Sequence, residues 1–500
     1  MKYTAITIGP IIKTLSLVRK PRELWSASYL FSYLMGCIID AVPEQFEIIS
    51  PAKLNKKKSA VGLYPDRVFI KHLELKEAED IIEQSRKAFA SALNLNNAVN
   101  DYFNIMSVSI EASSDGEAVR TLNEKLDVME LCCTPTNEVS SQEILSLIKK
   151  IKHSPLFKLA FESEDFPIEM LSDIASSELS SLKPTEWGEA RVQSNKIEKD
   201  KNSIVNEEDH FYLLLKENCP EEYKTYHKYI CVIQADGDNM GSVVSNIPNG
   251  KLSAFSKDLL NFGEKSCKII EAFGGLPIYA GGDDLLFIAP VVGKESRNIL
   301  DLVKNLDKEY QTIRVKVENY HILKEGKPLT TSMSYGISIS YYKFPLYEAL
   351  ESARNLLFEN AKHIEGKNAL AWKLQKNSGS SFSGRCSKSD EVYKLFEKVV
   401  KTTSEDHLVT AVAHKIRVND SLLGLWKDKD SEHISLRLDA FYDKTMEFNS
   451  KSKAEQDYLT ATKNLLLELY KTKDIERITS EIYGMLRTAK FINGEEENHE

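Results

Sequence analysis

Four signatures that would place a function quickly are missing from this 500-residue chain. Its seven cysteines (Cys37, Cys132, Cys133, Cys219, Cys231, Cys267 and Cys386) form no CxxC pair, so the sequence encodes neither a zinc ribbon nor a dithiol redox motif. The ten histidines supply no HxxxH and no His-Asp dipeptide, which argues against a metal phosphohydrolase of that signature. Gly250-Lys251 lacks the upstream glycine and the following Ser/Thr of a phosphate-binding loop. No apolar run approaches the roughly 20 residues needed to span a bilayer. The opening "MKYTAITIGPIIKTLSLVRK" lacks the layout of a secretory leader. An odd, irregular set of cysteines without a leader predicts a cytoplasmic protein. Charge of one sign is also short: a formal net charge of -9 argues against wholesale nucleic-acid binding by charge, leaving a local basic groove or a basic partner subunit.

What is present describes a folded, multidomain protein. Hydrophobic residues make up 42% and charged residues 28%, an ordinary globular balance, and the length suggests more than one core. The pattern predicts a strand at residues 3 to 8, then helical spacing from Ile11 to Val42 with a break at Pro21. A strand-turn follows at "GLYPDRVFI" (62 to 70), a helix at 74 to 94 and a strand at 103 to 112. We read 1–135 as a first α+β domain and 136–226 as a helical region with a polar linker, "RVQSNKIEKDKNSIVNEEDH". The most regular segment, 227–376, alternates strands at 228 to 235, around residue 283, at 330 to 341 and at 368 to 374. Helices are predicted near 251 to 273, 296 to 318 and 346 to 364. In the last of these Leu346, Ala349, Leu350, Ala353, Leu357 and Ala361 form one apolar stripe that lies on a sheet. "NSGSSFSG" (377 to 384) reads as a flexible connector, and 385–500 as a C-terminal helical domain ending in the acidic "GEEENHE". The order strand, helix, "YPDRVFI" in the first domain echoes strand, helix, "YAGGDDLLFI" in the second, as in a duplicated domain whose first copy keeps Asp66 alone.

The chemistry is concentrated in carboxylates. Asp236 directly follows an apolar strand, and Asp283 and Asp284 sit at a hairpin between two others, with no basic residue beside them. Brought to one sheet edge, the three would repel and raise one another's pKa. Magnesium or manganese removes that repulsion, and a pair of such ions can activate a hydroxyl and neutralise departing pyrophosphate. Gly281 and Gly282 permit turn geometries closed to other residues and leave room for substrate. A solvated Gly-Asp turn is the simpler alternative. "DGDNMG" fails as a calcium loop, because its fifth and twelfth positions are Met240 and Ile247. An aspartyl-nucleophile phosphatase is suggested by Asp236-Gly-Asp238 but disfavoured by the immediate return of "LLFIAP" as a strand. Lys362, with Lys367 just beyond, could reach a triphosphate or be a solvated lysine. Ser334 could lie near a base or ribose or be structural. Lys56-Lys57-Lys58 reads as a solvated loop, with RNA contact as the alternative.

"VIQADGDNMG", "YAGGDDLLFIAP" and "SMSYGISISYYKFPLYEALESARNLLFENAK" resemble the catalytic palm of the large subunit of type III CRISPR effector complexes. "ITIGPIIKTLSLVRKPRELWSASYLFSYLM" and "YPDRVFI" look like that subunit's first palm in its Cmr (III-B) branch, so the resemblance spans most of residues 1 to 375. It implies two ferredoxin-like, nucleotidyl-cyclase-like palms, the first degenerate and the second catalytic. It implies that Asp236 and Asp283 hold two Mg²⁺ or Mn²⁺ ions and that Asp284 completes the acidic site. The candidate nucleotide contacts are Gly237, Asp238, Asn239, Gly281, Gly282, Ser334 and Lys362. The implied substrate is ATP, converted to cyclic oligoadenylate when the complex binds target RNA through its guide RNA. Joining AMP to S-adenosylmethionine is the alternative at the same site, and a catalytically silent scaffold subunit is the alternative of another class. The partners implied are the other subunits of the complex. Two departures from the family pattern, no His-Asp nuclease domain and no four-cysteine zinc site, predict no DNA cleavage by this chain and no such zinc.

Overall fold

Tyr3, Ala5, Ile6 and Ile8 pack both faces of the first strand, so the chain buries its opening segment between two helical layers. The computed structural model describes residues 1–54, 60–95, 98–131, 138–150, 154–161, 170–197, 206–324, 326–402, 406–426, 430–471 and 478–494. Lys56, Lys57 and Lys58 lie outside them, as do residues 198–205 of the polar stretch and 495–500 of the acidic tail.

The first sheet contains β1 (Lys2–Gly9), β2 (Glu47–Ser50), β3 (Arg67–Lys71) and β4 (Asn104–Glu111). Its order is β2-β3-β1-β4, with every pair antiparallel. Helix α1 (Pro21–Ala41) joins β1 to β2, and α2 (Leu75–Leu93) joins β3 to β4. α1 begins with proline at its first turn, where the missing N–H costs nothing, and buries Leu24, Leu30, Leu34 and Ile38. α3 (Asp115–Glu130) follows β4, capped by Ser114 accepting from the Glu117 N–H at 3.2 Å.

The second sheet repeats the plan. β5 (Tyr229–Gly237) leads through α4 (Met240–Asn246) and α5 (Leu252–Phe273) to β6 (Leu276–Gly281) and β7 (Asp284–Pro290). Then α6 (Ile299–Asn319) and a small ribbon, β8 (Leu323–Lys324) with β9 (Lys327–Pro328), lead to β10 (Met333–Tyr341). The order of these four sheet strands, β10-β5-β7-β6, matches β4-β1-β3-β2 of the first sheet position for position. Both are the split βαβ arrangement of ferredoxin-like domains. β11 (Ala369–Gln375) and β12 (Ser381–Ser387) extend the second sheet to six strands, β11 running parallel to β10 after a helical crossover.

That crossover departs from the sequence pattern. α7 (Leu346–Asn355) ends six residues before the last residue of the apolar stripe, Ala361; a wide π turn covers Leu356–Asn360 and a tight turn Ala361–His363, which carry the helical segment on to nearly the expected end. The stripe itself is intact: Leu346, Ala349, Ala353, Leu357 and Ala361 are buried. Burying each leucine contributes about 1.5–3 kcal/mol. The helix lies so close to β10 that a Cβ on Gly336 would meet the Ala353 carbonyl and the Leu357 nitrogen. The wide turn sits where this contact holds the backbone down, as such turns often do beside functional residues.

Two further expectations are corrected. "NSGSSFSG" is not a connector: from Ser381 it enters β12, which alternates exposed and buried positions, so the boundary drawn at residue 385 falls inside a strand. Gly384 lies under the Trp372 ring, which leaves no room for a side chain. The polar stretch 191–210 is helical where it is described, within Pro184–Ile197 and Glu207–Asn218. C-terminal helices close over β11 and β12, with Trp372 stacked on Phe396 at 4.8 Å and donating to Thr488 at 3.1 Å. Among the described residues no helix is long and apolar enough to cross a membrane.

The two sheets are joined by backbone N–H donors on either side of a cleft, one to a carbonyl and the others to side chains. The Ala280 N–H donates to the Gly62 carbonyl at 3.0 Å, next to a parallel bridge between Gly62 and Tyr279. On the other side the Gly250 N–H donates to Asp115 at 3.3 Å, and Gly116 brings α3 against the Ser245 carbonyl, where a Cβ would clash. The Ala52 N–H donates to Ser256 at 2.9 Å.

Candidate active site

The cleft has a volume of about 910 Å³ and takes its walls from both sheets. Asp236, Gly237, Asn239, Gly281, Gly282, Asp283, Asp284 and Lys362 all line it. β5 and β7 pair antiparallel in a register that joins Ala235 to Leu285. The residues that follow this last pair at the sheet edge are Asp236 on β5 and Asp284 on β7, and Gly237 lies against the Asp283 side chain. β6 and β7 close through Gly281 paired with Asp284, and Gly282 turns the hairpin at φ +69° with open space around it. Gly237 is required by Asp283: a Cβ there would stand 2.6 Å from the Asp283 carboxylate and 2.9 Å from the Tyr310 hydroxyl.

The electrostatics match this crowding. Burial, followed by the charges of Asp284 and Asp238, pushes the Asp283 carboxyl well above the usual carboxylate range. Burial pushes Asp284 in the same direction. Asp66, at the start of β3, is raised to about 6 by burial against the opposing pull of Arg67, with Glu130 and Asp284 adding to the rise.

Lys362 departs from its expected part. Its ammonium forms an ion pair with Asp236, donates to the Gly237 carbonyl at 3.2 Å and lies over the Phe358 ring. Burial, then the charge of Lys367, draws it down toward about 8. So the counter-charge missing from the local sequence arrives from a distant segment, and it reaches Asp236 rather than the hairpin.

Asp238 and Ser334 are corrected as well. Both are fully buried beneath the cleft and bond to each other. Asp238 accepts from Ser332 at 2.6 Å, from Ser334 at 2.9 Å and from the Asn368 N–H at 2.9 Å. These two residues tie β5, β10 and the start of β11 together, and neither lines the cleft. Asn239 does line the cleft, at φ +61°, with its amide donating to the Thr330 carbonyl at 3.3 Å.

The sequence pattern did not single out the opposing wall. Arg120, Asn123 and Asp127 lie on one face of α3 and line the cleft. The Arg67 guanidinium holds that face, donating to Asn123 at 2.8 Å, Asp127 at 2.6 Å and Glu130 at 2.9 Å. The only local signal was their helical spacing.

Among the described residues no three carboxylate, imidazole or thiol side chains lie close enough to form a ready-made metal cage. The donor chemistry nevertheless fits magnesium or manganese. These ions take one or two carboxylates and complete their shell with water and phosphate. Asp236 and Asp284 at one sheet edge, with Asp283 alongside and open space over Gly282, supply hard oxygen donors whose mutual repulsion a divalent cation relieves.

Comparison with known proteins agrees with this geometry. Residues 229–371 match the family described as Cas10/Cmr2, second palm domain. Residues 3–97 match the family described as CRISPR-associated protein Cmr2, N-terminal. Over 248 residues the chain is 32% identical to the CRISPR system Cmr subunit Cmr2 of Pyrococcus furiosus, covering 44% of this chain and 26% of that protein. The match therefore spans about a quarter of that relative's length. Among solved structures, a chain of the type III-B Cmr-beta complex bound to cognate target RNA superposes with a TM-score of 0.55. The match covers 99% of this chain and 83% of that one at 12% identity. The apo state of Cmr-beta gives 0.56, covering 99% and 82% at the same identity. These two likenesses speak for the fold alone. The chain therefore carries, one on each side of the cleft, a region matching the Cmr2 N-terminal family and a region matching the Cas10/Cmr2 second palm domain.

Proposed function

We propose that this chain is the large subunit of an RNA-guided type III-B CRISPR complex and that its cleft carries out metal-dependent adenylyl transfer from ATP. The product on this reading is a signalling nucleotide, a cyclic oligoadenylate, made when target RNA is bound. The observation that carries the proposal is the placement of Asp236 and Asp284 together in a cleft large enough for nucleotide. Asp236, Asp283 and Asp284 would hold two Mg²⁺ or Mn²⁺ ions, which supply charge neutralisation at the phosphates and activation of the attacking hydroxyl. The chain's own residues do the rest. Gly237 leaves room for the Asp283 carboxylate, Gly282 keeps open space beside it for the substrate, and Asp238 fixes the turn that carries Asp236. Lys362 must leave Asp236 before that carboxylate can bind an ion.

The same ion pair favours a second reading, a scaffold subunit whose site is held silent by Lys362. One experiment separates the readings. The assembled complex is incubated with target RNA, Mg²⁺ or Mn²⁺ and ATP, with and without S-adenosylmethionine, and the products are analysed by mass spectrometry. The enzyme reading expects a new nucleotide, lost in Asp283→Ala/Asp284→Ala while assembly persists. An adduct formed only with S-adenosylmethionine identifies the acceptor. Absence of any new nucleotide in both arms leaves the scaffold.

A further inference from the structure

Behind the carboxylates, a ring of hydrogen bonds closed by one ion pair fastens the turn after Asp236 to α6 at two points. At the first, the Thr331 hydroxyl donates to the Asp238 carbonyl at 2.7 Å and accepts from the Tyr310 hydroxyl at 2.8 Å. At the second, Asp307, one turn before Tyr310 on α6, accepts from the Tyr335 hydroxyl at 2.9 Å. Both oxygens of Asp307 also accept from the Lys388 ammonium, each at 2.6 Å. Tyr335 is paired with Ala235, the residue before Asp236. From Lys388 the ring runs back to the turn. The Lys388 N–H donates to the Asn368 carbonyl at 2.7 Å, and the Asn368 N–H donates to the Asp238 carboxylate at 2.9 Å. The Asn368 side-chain amide adds a bond to Ser389 at 2.7 Å.

Lys388 closes this ring where packing alone would hold the layers together. Its side chain is only 4% exposed. Burial draws the ammonium down and pushes the Asp307 carboxyl up, against the attraction between them. An apolar pair of similar volume fills such a space without that desolvation, so the ion pair adds little to stability. What it adds is direction. The carboxylate takes two of the three ammonium hydrogens, and the Tyr335 ring lies 4.4 Å from the charge. The side chain has one seat, and the main chain at 388 therefore has one register against Asn368.

The place of Lys388 in the chain extends its reach. β12 ends at Ser387, and α8 (Glu391–Lys401), the first of the C-terminal helices, begins just beyond. α8 lies along α6, with Glu397 3.9 Å from Lys304 and Lys401 3.8 Å from Asp301. Lys388 is the innermost tie between these two helices.

We propose that Lys388 is a positioning residue: seated on Asp307, it locks the Asn368–Asp238 contact, holds Asp236 where a divalent ion can bind, and so makes docking of the C-terminal helices a condition of the site. The proposal rests on the reading that Asp236, Asp283 and Asp284 hold that ion, and it names what sets their geometry from behind.

The test uses the full-length chain and Mn²⁺ titration followed by electron paramagnetic resonance. The binding scored is the part lost in Asp283→Ala/Asp284→Ala. Lys388→Met is expected to weaken it about tenfold, as loss of a group supporting a metal ligand does. Lys388→Met/Asp307→Leu removes both charges and is expected to melt at or above the wild-type temperature, yet to bind Mn²⁺ about tenfold more weakly. Stability that returns without affinity is a result that a merely structural pair would not give. Should Lys388→Met not fold, the double variant decides alone. Wild-type Mn²⁺ affinity in the double variant would overturn the proposal and leave the ion site standing. If Asp283→Ala/Asp284→Ala removes no Mn²⁺ binding, the ion site fails and the proposal with it. Mn²⁺ binding does not depend on turnover. A chain that shows these losses but makes no product in the assembled complex keeps this proposal and loses the enzyme reading.

Discussion

Lys362 holds its ammonium against the Asp236 carboxylate and at the same time donates to the carbonyl of Gly237 at 3.2 Å. The position an ion would take on Asp236 is thus filled by the protein's own cation. Removing it should ease metal entry. Lys362→Met is expected to bind Mn²⁺ about fivefold more tightly than the wild-type chain without nucleotide, the equivalent of roughly 1 kcal/mol for a partly exposed pair. Mn²⁺ titration followed by electron paramagnetic resonance measures this directly, and weaker binding would show that Lys362 supports the ion site rather than competing for it.

Gly237 should tolerate no side chain. In Gly237→Ala the new Cβ meets Asp283 at 2.6 Å and Tyr310 at 2.9 Å, so the hairpin carboxylate has to move. Displacing a catalytic group by about 1 Å costs on the order of 100-fold in rate. Product formation by the assembled complex should fall by about that factor, while subunit assembly, followed by size-exclusion chromatography, remains unchanged.

Asp66 predicts a pH dependence. Its carboxyl is raised from 3.8 to about 6, so the folded chain holds that proton more tightly than the unfolded chain. The stability this provides is full below about pH 4 and is lost as pH rises through about 6. Asp66→Asn should therefore melt with the wild type near pH 4 and about 2 °C or more above it at pH 7.5. Melting curves in the presence of EDTA across this range give the comparison. A constant offset at all pH values would mean that the substitution acts through packing alone.

The paired carboxylates predict a metal effect on the fold itself. Mg²⁺ should raise the melting temperature of the wild-type chain at pH 7.5, by relieving repulsion among Asp236, Asp283 and Asp284. The increment should shrink in Asp283→Asn, where burial no longer meets a charge. Equal increments in the two proteins would place the stabilising ion elsewhere.

Much of this arrangement could be read from the chain. Apolar strands ending in Asp236 and beginning at Asp284 pointed to a shared sheet edge, and the register bears that out. The echo between "YPDRVFI" and "YAGGDDLLFI" anticipated two sheets of the same strand order. Other features were hidden for physical reasons. Asp238 and Asp236 are two residues apart and chemically identical, and only the third dimension shows that one faces the cleft and the other is clamped by Ser332 and Ser334. β12 was masked by its small residues: Gly384 is there because Trp372 fills its space, and a glycine-serine run reads locally as a loop. The wide turn after α7 begins where Gly336 of another strand comes close to the Ala353 carbonyl and the Leu357 nitrogen, a contact that no pattern within the helix encodes. The pairing of Lys362 depends on where that turn delivers it.

The joining of the two sheets has a kinetic consequence. Gly62 grips Ala280 on one side of the cleft, and Asp115 and Gly116 grip Gly250 and Ser245 on the other. Parting the walls would break the Gly62–Ala280 main-chain hydrogen bond at one margin and the bond from the Gly250 N–H to the Asp115 carboxylate at the other. On the proposed function, substrates enter with these margins closed, past Lys367 on its left-handed turn.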